Sequence, residues 1–252
     1  MNKSYRMIIE FWFLFDIWHL FFDISIWLIY FLTMDKIGVI FDLDGVIFDN
    51  NQYHKKAWSE FCSRNGIFLS QRTLENHVFG NTNKDVLEFL FRRSFTQHEI
   101  EDLGEVKEAI YRELIADDVK PLDGLIPLLE ELNAKNIPTG IATSAPKSNI
   151  KFLDEKADFT KYFQSIIDDK GVENGKPNPD IYLKCIKELN VKPQNCLVFE
   201  DSFSGVQSAI NAGAKVIGVT TTHEASEFEG VEMTISDFTE MDFNTIQKIL
   251  GI

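Results

Sequence analysis

Residues 37–50 read IGVIFDLDGVIFDN. A short apolar run ends in two aspartates, Asp42 and Asp44, with Gly45 directly after them. An apolar run of this length bounded by a turn residue is the signal of a buried strand. Alternate residues of a strand point to one face, so Asp42 and Asp44 are expected to converge while Leu43 turns inward. Two carboxylates so placed repel, and a bound cation or a shared proton relieves them. With a metal present, one can act as nucleophile and the other as proton donor. An EF-hand loop is excluded, because Gly45 comes too early and the distal Glu is missing.

Outward from this stretch, apolar runs recur at residues 137–142, 165–167, 196–199, 216–219 and, more weakly, 233–235. Helical patterns separate them at 125–135, 147–155, 179–189 and 204–212, the last with Gly213 placed as a left-handed cap. Such alternation predicts an α/β fold, a Rossmann-like parallel sheet whose ligands bind beyond the carboxyl ends of the strands. Residues 50–119 break the pattern with helical sequence alone and read as an inserted helical subdomain. The flanking segments, 34–49 and 120–252, form the α/β core.

Three further strand ends carry chemistry. IPTGIATSAPKS (137–148) supplies Thr143 and Ser144, whose hydroxyls and the following helix start make a small anion site. GKPNPD (175–180) holds Lys176 in a rigid loop. CLVFEDSFSGVQSA (196–209) ends its strand in Glu200 and Asp201, hard oxygen ligands of the kind that suit Mg²⁺. Taken singly, each has a plain structural explanation: a solvated turn, an N-cap, a surface lysine, acids at a helix start. Arriving in order at four strand ends, they form one set.

FDLDGVIFDN, ATS, GKPNPD and FEDSFSGV resemble the four motifs of the haloacid dehalogenase superfamily. YHKKAW (53–58) resembles the branch containing β-phosphoglucomutase and small sugar-phosphate phosphatases. The resemblance implies that Asp42 is a nucleophile forming an aspartyl-phosphate and Asp44 the general acid/base. It implies that Thr143 and Lys176 hold the transferring phosphoryl group, with Ser144 beside them. Mg²⁺ would be bound by Asp42, the backbone carbonyl of Asp44 and Asp201, with Glu200 assisting. The insertion would be a mobile cap. Phosphoryl transfer needs its equatorial charge neutralised and its nucleophile held in line, which agrees with these roles. The expected activity is hydrolysis of a small phosphorylated metabolite, a sugar phosphate.

β-Phosphoglucomutase activity is the alternative within the same chemistry. A mutase must grip a second phosphate, and where the mutase pattern has arginine this chain has Asn83. Lys84 or Arg72 could substitute, although a lysine is a point charge and not a bidentate fork. His54 matches a histidine of the mutase hinge, or else simply opens a cap helix. Trp58 reads as cap core. A third reading, from another class, is a non-catalytic binding protein that kept the fold.

Composition narrows the partners. The chain has 252 residues, with 25 Lys+Arg against 39 Asp+Glu and a net charge of −14, which argues against nucleic acid. Its three cysteines form no CxxC pair, and a reducing cytoplasm is expected. Residues 1–33 differ from the rest: 11–32 read FWFLFDIWHLFFDISIWLIYFL. That length suits a membrane span, but Asp16 and Asp23 each cost roughly 2.5 to 3.5 kcal/mol on an insertion scale, which nearly cancels the apolar gain. The preferred reading is that Met34 is the natural start. Membrane contact, or tethering by an N-terminal helix, is expected only if residues 1–33 are native.

Overall fold

The computed structural model describes residues 36–79 and 82–252. The readings made for residues 1–33 and for Met34 as the start lie outside the described residues. Six strands, β1 (Gly38–Phe41), β2 (Thr139–Ala142), β3 (Ser165–Ile167), β4 (Cys196–Glu200), β5 (Lys215–Val219) and β6 (Met233–Ile235), make one sheet in the order β3-β2-β1-β4-β5-β6. Every neighbouring pair is parallel. The α/β reading and its strands are observed, with β1 and β2 beginning one and two residues later than the apolar runs suggest. Pro138 lacks an N–H to give the ladder, which accounts for the later start of β2.

Helices cover both faces, as a parallel sheet requires. Val39 and Phe41 face one layer, with α5 (Leu125–Ala134), α6 (Lys147–Ala157) and α9 (Phe243–Leu250). Ile40 faces the other, with α7 (Asp180–Glu188) and α8 (Phe203–Asn211). At the centre Phe41 pairs with Ile141 and Phe199 in register and stacks on the Phe199 ring at 5.0 Å. Gly213 has φ +81° just past α8 and allows the turn into β5.

The chain runs from β1 through β2 to β3 on one side, then returns to place β4 against β1 on the other. This reversal is a topological switch point, where the loops after neighbouring strands diverge and leave a crevice. Asp42 follows β1, and Asp201 follows β4, so both acids stand at its mouth.

Between β1 and α5 lie α1 (Asn51–Arg64), α2 (Gln71–His77), α3 (Asn83–Phe91) and α4 (Gln97–Ile115). Ala57, Trp58, Phe61 and Cys62 of α1 are buried, as are Ile110, Tyr111 and Ile115 of α4. Polar side chains join this insertion to the α/β layers. Asn149 of α6, fully buried, donates to Glu108 Oε2 at 2.8 Å and accepts from Arg112 at 2.8 Å. Asn149→Ala leaves both α4 partners short of a bond and is expected to cost about 1–3 kcal/mol. A lowered urea midpoint at unchanged slope would show it.

Candidate active site

Asp42 is 8% exposed and its Oδ1 lies 3.0 Å from Lys176 Nζ as an ion pair. That oxygen has no aligned hydrogen-bond partner. Burial, partly offset by Lys176, raises the Asp42 carboxyl to about 7, with Glu200 and Asp44 adding repulsion. Lys176 is held from its other side by Glu200. Burial alone would depress its ammonium, but Asp42 and Glu200 outweigh that and raise it.

Glu200 ends β4 with no exposure, and all its bonds are internal. Oε1 accepts from Lys176 and from the Tyr182 hydroxyl at 2.7 Å. Oε2 accepts from the backbone N–H of Asp201 at 3.0 Å and of Ser202 at 3.1 Å, and from the Ser202 hydroxyl at 3.1 Å. The carboxylate therefore fixes Lys176 and ties down the start of α8. Its expected part as an assisting metal ligand competes with these five donors.

Asp201 is 3% exposed, and burial with repulsion from Glu200 and Asp42 pushes its carboxyl well up. Asp42, Glu200 and Asp201 each place a carboxylate oxygen within 4.8 Å of the others. Three buried acids so close, one with an oxygen lacking a hydrogen bond, fit a divalent cation: the cation would take the proton's place among hard oxygens. Asp42 and Asp201 are the two with oxygens to spare. Gly45 belongs to this cradle, since with φ +78° a Cβ there would stand 2.0 Å from Asp201 Oδ2. No side chain fits between the first loop and that acid.

The carboxylate of Asp44 is not in this group. β1 ends at Phe41, so both acids lie in the loop beyond it, and strand alternation does not orient them. Asn50 Nδ2 donates to Asp44 Oδ1 at 2.6 Å, and His54 Nε2 lies 3.4 Å from Oδ2. Burial would raise the Asp44 carboxyl, but His54, Asn50 and Lys107 together pull it below the usual carboxylate value. His54 stacks on Tyr111 at 3.9 Å, and its Nδ1 meets Lys107 Nζ at 2.9 Å. Lys107 pairs with Glu108 at 2.8 Å, and both are buried. His54 is thus no surface residue: it joins Asp44 to the far helix of the insertion.

Thr143 is buried after β2, and its Oγ1 accepts from Ala145 N–H at 3.0 Å, which leaves the hydroxyl proton for another acceptor. Ser144 is exposed beside it. A cavity of about 920 Å³ opens between the insertion and the sheet edge. Asp44, His54, Ser144 and Lys84 line it, together with Trp58, Asn83 and Lys107. Trp58 is both core and wall: it packs edge-on against Phe61 at 5.4 Å. Arg72 is not brought there; it is exposed on α2 and absent from the lining. A match to a basic pattern in the sequence does not fix which face of a helix carries the charge.

Sequence reasoning missed Asn50, Lys107, Glu108 and Tyr111. A Lys-Glu pair within a charged helix looks like solvent-facing surface, and only its contact with His54, 53 positions away, gives it a role. The acid in DxDG with a histidine ten residues on is the one local signal that Asp44 needs a partner.

A family profile for haloacid dehalogenase-like hydrolases matches residues 39–219. A phosphorylated carbohydrates phosphatase of Thermotoga maritima is 31% identical over 184 residues, covering 71% of this chain and 83% of that protein. A β-phosphoglucomutase of Bacillus subtilis is 32% identical over 196 residues, covering 72% and 82%. A crystal structure of a haloacid dehalogenase hydrolase from Entamoeba histolytica superposes with a TM-score of 0.80 at 32% identity, covering 86% of this chain and all of that one. The non-catalytic reading is thereby displaced, since the relatives are enzymes. With the four loops at the carboxyl edge of the sheet and a profile spanning most of the chain, the protein belongs to the haloacid dehalogenase-like hydrolase family, in its phosphoglucomutase-like branch.

Proposed function

We propose that the protein is a Mg²⁺-dependent phosphatase of a small phosphorylated metabolite, a sugar phosphate, acting through an aspartyl-phosphate on Asp42. The observation that carries this is the separation of the two acids: Asp42 lies 3.0 Å from Lys176 and groups with Glu200 and Asp201, while Asp44 accepts from Asn50 and has His54 at 3.4 Å. A carboxylate oxygen of Asp42 attacks phosphorus, and the bond to the leaving oxygen breaks as Asp44 donates its proton to that oxygen. Asp44 then takes a proton from water, which attacks phosphorus and releases Asp42. Lys176 and the Thr143 hydroxyl hold the transferring oxygens. Mg²⁺, held by Asp42, Asp201 and the backbone carbonyl of Asp44, would neutralise charge on the phosphoryl group.

For Asp44 to begin as the acid, its proton must arrive with the substrate, because its neighbours favour the carboxylate in the free protein. The dianion of the ester, entering beside it, opposes a second negative charge there. In this reading residues 50–119 act as a cap that excludes water until the leaving group departs, over the core of residues 34–49 and 120–252. Among the described residues no helix is long and apolar enough to cross a membrane. Three buried free cysteines accord with a cytoplasmic setting.

One observation favours the mutase instead: Lys84 and Lys55 line the cavity and could meet a second phosphate. Asn83 and the acids Glu101, Asp102 and Glu105 line it as well, which weighs against a second dianion. A phosphate-release assay on sugar phosphates, nucleotides and pyrophosphate, with and without Mg²⁺, separates the readings. Release that requires Mg²⁺ and is greatest with a sugar monophosphate supports the phosphatase. Conversion of β-glucose 1-phosphate to glucose 6-phosphate after priming with the bisphosphate, without release, supports the mutase.

A further inference from the structure

Asn51 is the first residue of α1, where the chain leaves the α/β layers for the insertion. Its side-chain amide has two hydrogens, and both are used. Nδ2 lies 2.8 Å from Asp201 Oδ2 and 2.6 Å from Thr222 Oγ1. The Thr222 hydroxyl, having accepted from Asn51, donates its own proton to the same Asp201 oxygen. Every proton of the triangle has one acceptor. Oδ2 of Asp201 is therefore fixed by two donors from segments 150 and 21 positions away in the chain. The loop bearing Thr222 is pinned in turn, since the Thr221 hydroxyl donates to the Gly45 carbonyl at 2.5 Å.

We propose that Asn51 and Thr222 are positioning residues of the cation site, setting the Asp201 carboxylate in its ligating orientation. The α/β layers alone then do not complete that site, and the insertion contributes to it through its first residue. This rests on the reading that Asp42 and Asp201 hold a divalent cation. Asn51 and Thr222 line the same cavity as Asp44 and Ser144, and their contact with the cation site is through Asp201 Oδ2. Their action is to hold one oxygen so that ligation costs the side chain little further ordering. Partners of this kind typically contribute about 10- to 100-fold in metal affinity. A tie that served folding alone would leave affinity unchanged.

The test is calorimetric titration of the full chain with MgCl₂, without substrate, for wild type, Asn51→Ala, Thr222→Val and Thr222→Ser. Asn51→Ala and Thr222→Val are expected to weaken the Kd by about 10- to 100-fold, while Thr222→Ser, which keeps the hydroxyl, binds as the wild type does. The double variant is expected to fall short of the product of the two losses, because both act on one carboxylate. In turnover the defect should appear in the Mg²⁺ requirement and disappear at saturating Mg²⁺. Folded Asn51→Ala and Thr222→Val proteins with wild-type Kd values would overturn the proposal. Should Asn51→Ala fail to fold, the comparison of Thr222→Val with Thr222→Ser decides, since Thr222 is exposed. A wild type that binds no Mg²⁺ would instead overturn the cation reading on which this depends.

Discussion

Asp42→Asn is expected to fold as the wild type does and to lose about 10⁴-fold or more in kcat, the scale on which removal of a catalytic nucleophile acts. An amide cannot take up the phosphoryl group as an acyl phosphate, and no second carboxylate stands in its place. Asp44 is committed to Asn50 and His54, and Asp201 to Asn51 and Thr222. Stability should not suffer. The wild-type carboxyl is buried among acids and raised to about 7, so a neutral isostere removes repulsion from Glu200 and Asp44. Lys176 keeps Glu200 as its partner. Circular dichroism and thermal unfolding without cation check the fold, and steady-state kinetics check the loss. Activity within tenfold of wild type, an order set by what nucleophile removal costs, would remove Asp42 from the role assigned to it.

Glu200→Ala should do the opposite, harming fold and function together. The alanine withdraws an acceptor from Lys176, the Tyr182 hydroxyl, two backbone N–H groups and the Ser202 hydroxyl, all around a side chain with no solvent exposure. Each buried donor left without an acceptor costs about 1–3 kcal/mol, and here the Tyr182 hydroxyl, two backbone N–H groups and the Ser202 hydroxyl lose theirs together. Lys176 would retain Asp42 alone, and the start of α8 would lose its anchor. Glu200→Gln, which keeps one oxygen acceptor, should lose less. Urea unfolding of the two variants measures the difference. Equal midpoints for Glu200→Ala and wild type would mean that the carboxylate is not the keystone of this loop.

Much of this arrangement is legible in the sequence. Runs such as CLVF and VIGV declare strands through local composition, and Gly213 marks a helix end through its own backbone freedom. The four loops follow because each belongs to the strand before it, and a parallel sheet brings the carboxyl ends of its strands to one edge. Asp42, Thr143, Lys176 and Asp201 are therefore brought to that edge by chain position alone. What the sequence hid is carried by contacts between distant segments. Asn51 and Thr222 look like turn residues until Asp201 is seen between them. Lys107 and Glu108 look like helix surface until His54 meets them. The expectation that Asp42 and Asp44 converge failed for a local reason: the strand ends at Phe41, one residue before alternation could act on either acid. Charge type alone points to Arg72, and its helix turns it to solvent.

The division of labour between the two acids is the centre of the account, and a covalent phosphoryl group on Asp42 is its direct consequence. Wild-type protein turning over a sugar phosphate should be treated with borohydride, which reduces an acyl phosphate to the alcohol, and its peptides then mapped by mass spectrometry. Homoserine is expected at position 42, dependent on substrate and on Mg²⁺, with Asp44 and Asp201 unchanged. Steady hydrolysis with Asp42 recovered only as aspartate, or with the reduced residue at another position, would contradict it.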